Sequence, residues 1–130
     1  MSKGELLTRT KSFSLRILTL VDHLPRTMSG RAIGNQLVRC GTSVGANYRA
    51  ACRSRSRAEF AAKLGIVAEE ADETVYWLEL LRDGKLLSEE EVSETLREAN
   101  ELTAIFTTGR RSSSRTQTSN LKPQTSNLSS

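Results

Sequence analysis

The chain has 130 residues, 37% of them apolar, enough for one domain around one core. No run of about 18 apolar residues is present to cross a membrane, and the start, MSKGELLTRTKSF, lacks an apolar export segment and a small-residue cleavage site, so a cytoplasmic protein is expected. The formal net charge of +4 hides a division: residues 26–63 carry eight basic groups and one acidic, whereas residues 64–106 carry three basic and twelve acidic. A field so polarised steers polyanions to one face.

Helix 1 is expected from about Glu5 to Leu24, because Leu6, Phe13, Ile17, Leu20, Val21 and Leu24 fall on one face at about 100° per residue. Pro25 ends it. Helix 2 begins between Met28 and Arg31 and runs to about Cys52, with Ile33, Leu37, Cys40, Val44, Tyr48 and Ala51 as its apolar face. Each of Gly30, Gly34, Gly41 and Gly45 costs about 1 kcal/mol relative to alanine inside a helix, which points to a neighbouring backbone in close approach or to a frayed start. On the same wheel Arg31, Arg39, Arg49 and Arg53 fall nearly opposite the apolar face. Arg55, Arg57 and Lys63 continue this basic stripe. Guanidinium forks match phosphate oxygens, so the set suits a nucleic-acid backbone; the alternative is pairing with Glu69, Glu70, Asp72 and Glu73 of the next helix or of another subunit. No aromatic residue is interleaved with the arginines, so stacking on single-stranded bases is poorly supported.

Helix 3 opens with a capping box, Ser56 and Glu59, and runs to about Arg82 before Asp83-Gly84. Phe60, Leu64, Val67, Ala71, Val75 and Leu78 make one stripe, while Ile66, Trp77 and Leu80, with Tyr76 beside them, project away from it. A second apolar face on a small domain is most simply covered by another subunit. Helix 4 opens with the box Ser88 and Glu91, carries Val92, Leu96, Ala99, Thr103 and Phe106 on one face, and is expected to stop at Gly109. Residues 110–130, rich in Ser, Thr, Asn and Gln and echoing Gln117-Thr-Ser-Asn-Leu121 in Gln124-Thr-Ser-Asn-Leu128, read as a disordered tail behind a domain of residues 1–109. With no convincing strand pattern, the expected fold is all-α, an antiparallel up-and-down four-helix bundle.

Residue supply argues against an enzyme. A di-metal carboxylate bundle needs two Glu-x-x-His pairs, and the chain has one histidine, His23. Gly41-Thr-Ser-Val-Gly45 lacks the lysine and spacing of a phosphate-binding loop, and Ser43 has no base at a predictable distance. Cys40 and Cys52 lie about 18 Å apart along one helix, beyond disulfide reach. No catalytic residue, metal or cofactor is expected. Ser43 and Asn47, between the apolar face and the arginines, are suited to bond an adjacent helix or to mark a subunit contact.

Ser43-Val44-x-x-Asn47, then Glu59-Phe60, then Glu69-Glu70-Ala71-Asp72-Glu73 leading to Tyr76-Trp77-Leu78-Glu79-Leu80, resembles the proteins encoded in intervening sequences of bacterial 23S ribosomal RNA genes, over roughly Phe13 to Phe106. Many relatives continue from the asparagine with a small apolar pair and Glu-Gly; Tyr48-Arg49-Ala50-Ala51 stands here, which fits a more basic branch. The resemblance implies a four-helix bundle assembled into a ring-shaped homopentamer. It also implies likeness to the accessory proteins of diversity-generating retroelements, which associate with nucleic acid and a reverse transcriptase. The expectation is thus a non-enzymatic oligomer that binds RNA or DNA through Arg31, Arg39, Arg49, Arg53, Arg55, Arg57 and Lys63, with Ile66, Tyr76, Trp77 and Leu80 between subunits. The alternative is an adaptor working through protein contacts alone.

Overall fold

The computed structural model describes the backbone of residues 1–121 and the side chains of residues 1–114. Four helices follow one another: α1 (Lys3–Val21), α2 (Met28–Ala51), α3 (Arg57–Asp83) and α4 (Glu89–Leu121). Their starts are written in the sequence as caps. Ser2 and Glu5 form a reciprocal box, so α1 begins two residues before the expected Glu5, which is the box's third helical position. Thr27 caps α2 by accepting from Gly30 N–H at 3.1 Å. Ser56 caps α3, although the Glu59 carboxylate reaches back one residue further than expected, to Arg55 N–H at 2.8 Å. Ser88 and Glu91 exchange the expected pair of bonds ahead of α4. At the other end of α1 the helix stops at Val21 and tightens, with His23 and Leu24 bonding back three residues before Pro25.

Each helix packs on the next, α4 closes back on α1, and no contact joins α1 with α3 or α2 with α4 except through the core. The registers are antiparallel throughout. Gly45 of α2 lies at Thr10 of α1 and Gly41 at Ile17; Cys40 of α2 meets Thr74 of α3; Gly109 of α4 faces Leu64 of α3. This is an all-α, up-and-down four-helix bundle. Its centre is filled by Phe13, Ile17, Leu37, Val44, Val67, Leu78, Leu81, Val92, Leu102 and Phe106, all essentially fully buried. Tyr48 of α2 and Phe106 of α4 meet across it, ring centroids 5.2 Å apart. Burial pushes the Cys40 thiol pKa up, so it stays protonated and acts as a small apolar filler.

Two of the costly glycines of α2, Gly41 and Gly45, are explained by α1. A Cβ on Gly41 would stand 2.8 Å from Ile17, and one on Gly45 would stand 3.2 Å from the Thr10 carbonyl oxygen. The α2 backbone therefore rests on the α1 backbone at Gly45 and on the Ile17 side chain at Gly41. Gly41→Val is expected to destabilise the protein by about 2–3 kcal/mol through overpacking, whereas Gly109→Ala, whose Cβ would find an ordinary 3.5 Å contact with Leu64, is expected to stabilise it by up to about 1 kcal/mol. Urea unfolding of both variants checks the contrast.

Helix 4 differs from expectation at its far end. It passes through Gly109, the expected stop, and runs to Leu121. One glycine costs too little to stop a helix lying on a partner, and here α3 continues alongside: Gly109 packs on Leu64, and the next residue, Arg110, on Gly65. Residues 122–130, with the second copy of the echo, lie outside the described residues.

Candidate functional site

The up-and-down order brings the start of α1, the end of α2, the start of α3 and the end of α4 to one end of the bundle. Arg49 from the last turn of α2, Arg53 and Arg55 from the connection and Arg57 from the first turn of α3 all stand exposed there. None has an ion-pair partner among the described residues. Lys63 of α3 is nearby and bonds Glu59 at 3.2 Å, an exposed pair that water and salt loosen easily. The two acids of this end are occupied. Glu5 caps α1, and Glu59 is held below the ordinary carboxylate range first by the Arg55 N–H and then by Lys63.

Two of the seven residues of the expected basic stripe stand away from this end. Arg31 starts α2 at the opposite end, roughly 27 Å along the helix from Arg49, where its guanidinium donates to the Arg26 carbonyl at 3.1 Å. Arg39 sits midway and is clamped by α3, donating to Glu70 at 3.4 Å and to Glu73, and to Gln36 of its own helix. The alternative pairing with the acids of helix 3 is therefore the fate of Arg39. The helical wheel placed these groups at one angle without their positions along the axis. Arg110 and Arg111 join the converging groups although the helix stop expected at Gly109 put them outside the domain. The extended α4 carries both to the basic end, where Gly65 leaves room for the Arg110 guanidinium, whose Nε is 3.1 Å from where a Cβ would be.

The second apolar face of α3 is present in part. Ile66, Tyr76 and Leu80 are exposed, Tyr76 by 56%. Trp77 is not: it is half-buried against the core, its indole N–H donating to Glu73 at 3.1 Å and its ring meeting Tyr76 edge-on. Glu73 thus binds both Trp77 and Arg39, turning the indole toward α2. A further exposed pair, Leu15 and Leu18, lies on α1, diagonally across the bundle from α3. Ser43 and Asn47 bond the backbone of their own helix, at Arg39 O and Ser43 O, rather than an adjacent helix. Among the described residues no cluster of His, Cys, Asp or Glu could hold a metal ion, and no helix is long and apolar enough to cross a membrane.

With this geometry in hand, the comparison with known families is decisive. The family model described as 23S rRNA-intervening sequence protein matches residues 3–108. The chain belongs to that family. The basic end, the clamped Arg39 and the half-exposed face of α3 are thus features of an intervening-sequence protein. The solved structure of a protein of unknown function from the S23 ribosomal protein family of Bacteroides thetaiotaomicron is similar, at 32% identity and a TM-score of 0.78, over 85% of this chain and 99% of that one. No curated protein matches.

Proposed function

We propose that this intervening-sequence protein is a non-enzymatic, cytoplasmic homo-oligomer that binds RNA or DNA by its phosphates, at the end of the bundle where Arg49, Arg53, Arg55, Arg57, Arg110 and Arg111 gather. The observation that carries the reading is that these arginines converge from three helices and one turn with no carboxylate among the described residues pairing with them. Phosphate contacts position without reading bases, and the exposed aromatic ring, Tyr76, belongs to the α3 face rather than to this end, so the binding is salt-dependent and indifferent to sequence.

Ile66, Tyr76 and Leu80 on α3 and Leu15 and Leu18 on α1 are two different apolar patches on opposite sides of one protomer. Such patches favour a head-to-tail contact, which closes into a ring when the rotation permits; the homopentamer implied by the family resemblance is such a ring. A second reading rests on the same patches: an adaptor whose exposed faces recognise a protein, such as a reverse transcriptase, with no nucleic acid involved. Size-exclusion chromatography with light scattering at low and high salt, recording absorbance at 260 and 280 nm, separates them. An oligomer that sheds 260 nm material in high salt is the expected result. A clean oligomer that ignores added RNA would favour the adaptor, and a monomer would remove the ring.

A further inference from the structure

Between α1 and α2, beside the basic end, runs a groove of about 500 Å³, the size of a small-ligand site. Its shape follows from the glycines: because Gly45 lets α2 lie on the Thr10 backbone, the side chains flanking this contact stand apart over a floor of small residues. Lys11 of α1, Arg49 of α2 and Arg53 just past the end of α2 line it, and no acidic residue does. None of the three cations has an ion-pair partner among the described residues. The rest of the lining is neutral, with Leu7, Ala46 and Cys52 supplying an apolar shelf. The hydroxyls of Thr10 and Ser14 already donate to backbone carbonyls one helical turn back, so the donors left for a ligand are the cations.

Three converging positive charges in a recess suit a compact group with more than one negative charge. A bridging phosphodiester carries a single charge and is served as well by the open arginines of the bundle end. A terminal phosphate or a diphosphate carries two or more, and the shelf beside the cations accommodates the sugar or base attached to it. We infer that the α1–α2 groove is a binding site for a phosphate monoester or diphosphate, with Lys11, Arg49 and Arg53 as its ligands. This chemistry has two sources, the phosphorylated end of a nucleic-acid strand and a free phosphorylated small molecule. The strand-end source rests on the nucleic-acid reading above; the free-ligand source does not.

The test uses the full chain, one short RNA prepared with either a 5′-phosphate or a 5′-hydroxyl, and inorganic pyrophosphate. The strand-end source gives about tenfold tighter binding of the phosphorylated RNA. That preference vanishes in Lys11→Gln and in Ala46→Phe, which fills the groove without touching a charge, while Arg57→Gln weakens both RNAs alike. The free source gives no preference between the RNAs but saturable pyrophosphate binding, lost in the same two variants. Both residues are exposed, so these variants fold. Equal affinity for the two RNAs together with no pyrophosphate binding overturns the groove site while leaving the nucleic-acid reading intact. Pyrophosphate binding with no affinity for either RNA does the reverse. Pyrophosphate binding or an RNA preference unchanged in both variants also overturns it.

Discussion

Replacing Arg49, Arg53 and Arg57 together by glutamine is expected to lower nucleic-acid affinity roughly a hundredfold at moderate salt and to reduce the slope of log affinity against log salt by nearly three. Each arginine that neutralises a phosphate releases about 0.9 of a counterion from duplex DNA. At about 0.1 M salt this release is worth roughly 1 kcal/mol per contact, and three contacts together slightly exceed a factor of about a hundred. Glutamine keeps much of the length and polarity of the side chain, so the loss reads charge rather than shape. The matched control is Arg31→Gln with Arg39→Gln, since Arg31 lies at the other end of the bundle and Arg39 is already held by Glu70 and Glu73. Those two changes are expected to leave the salt slope in place. Equal losses from both sets would point to net charge alone, and no loss from the first would remove the basic end as the binding surface. Fluorescence anisotropy over a salt series gives both quantities.

Phe106→Ala is expected to cost about 3–5 kcal/mol, the range for removing a fully buried aromatic ring. The ring is 1% exposed and packs on Tyr48, so the cavity would open where α2 and α4 meet. Little else can close it. Of the core side chains of α4 this is the last before Gly109, Arg110 and Arg111, so it anchors the part of the helix that carries two of the basic groups. The variant is therefore expected to weaken nucleic-acid binding modestly as well, and Arg110→Gln with Arg111→Gln is expected to weaken it without loss of stability. Chemical denaturation at one fixed protein concentration measures the first effect, because the proposed self-association would make stability depend on concentration. A loss below about 1 kcal/mol would mean that the helix ends are not locked by this contact.

The seam between α1 and α4 shows how a bundle can be legible in outline and opaque in detail. The apolar period of each helix announced which side turns inward, and Leu6, Phe13, Ile17 and Leu20 of α1 are buried as expected. That Arg9 would be the clasp, bonding Glu98 at 2.7 Å and Glu101 at 2.6 Å, depends on two residues about ninety positions further along the chain. The same limit explains the site. Angle around a helix is local information, and it correctly set the arginines of α2 opposite the core. Height along the bundle, and the identity of the residue across the groove, are properties of register.

The sequence by itself determined the number of helices, most of their ends and their buried faces, because caps such as Ser56 and Ser88 and a 3.6-residue period act within a few turns of chain. It also carried the family, in motifs read in order along the chain. Tertiary structure alone decided that Arg39 is paired while Arg49, Arg53, Arg55 and Arg57 have no ion-pair partner among the described residues, that Trp77 turns inward to share Glu73 with Arg39, and that α4 continues past Gly109. The pairing of Arg39 and the run of α4 past Gly109 are settled by side chains on another helix, whose Coulomb attraction or packing exceeds a local preference of about 1 kcal/mol.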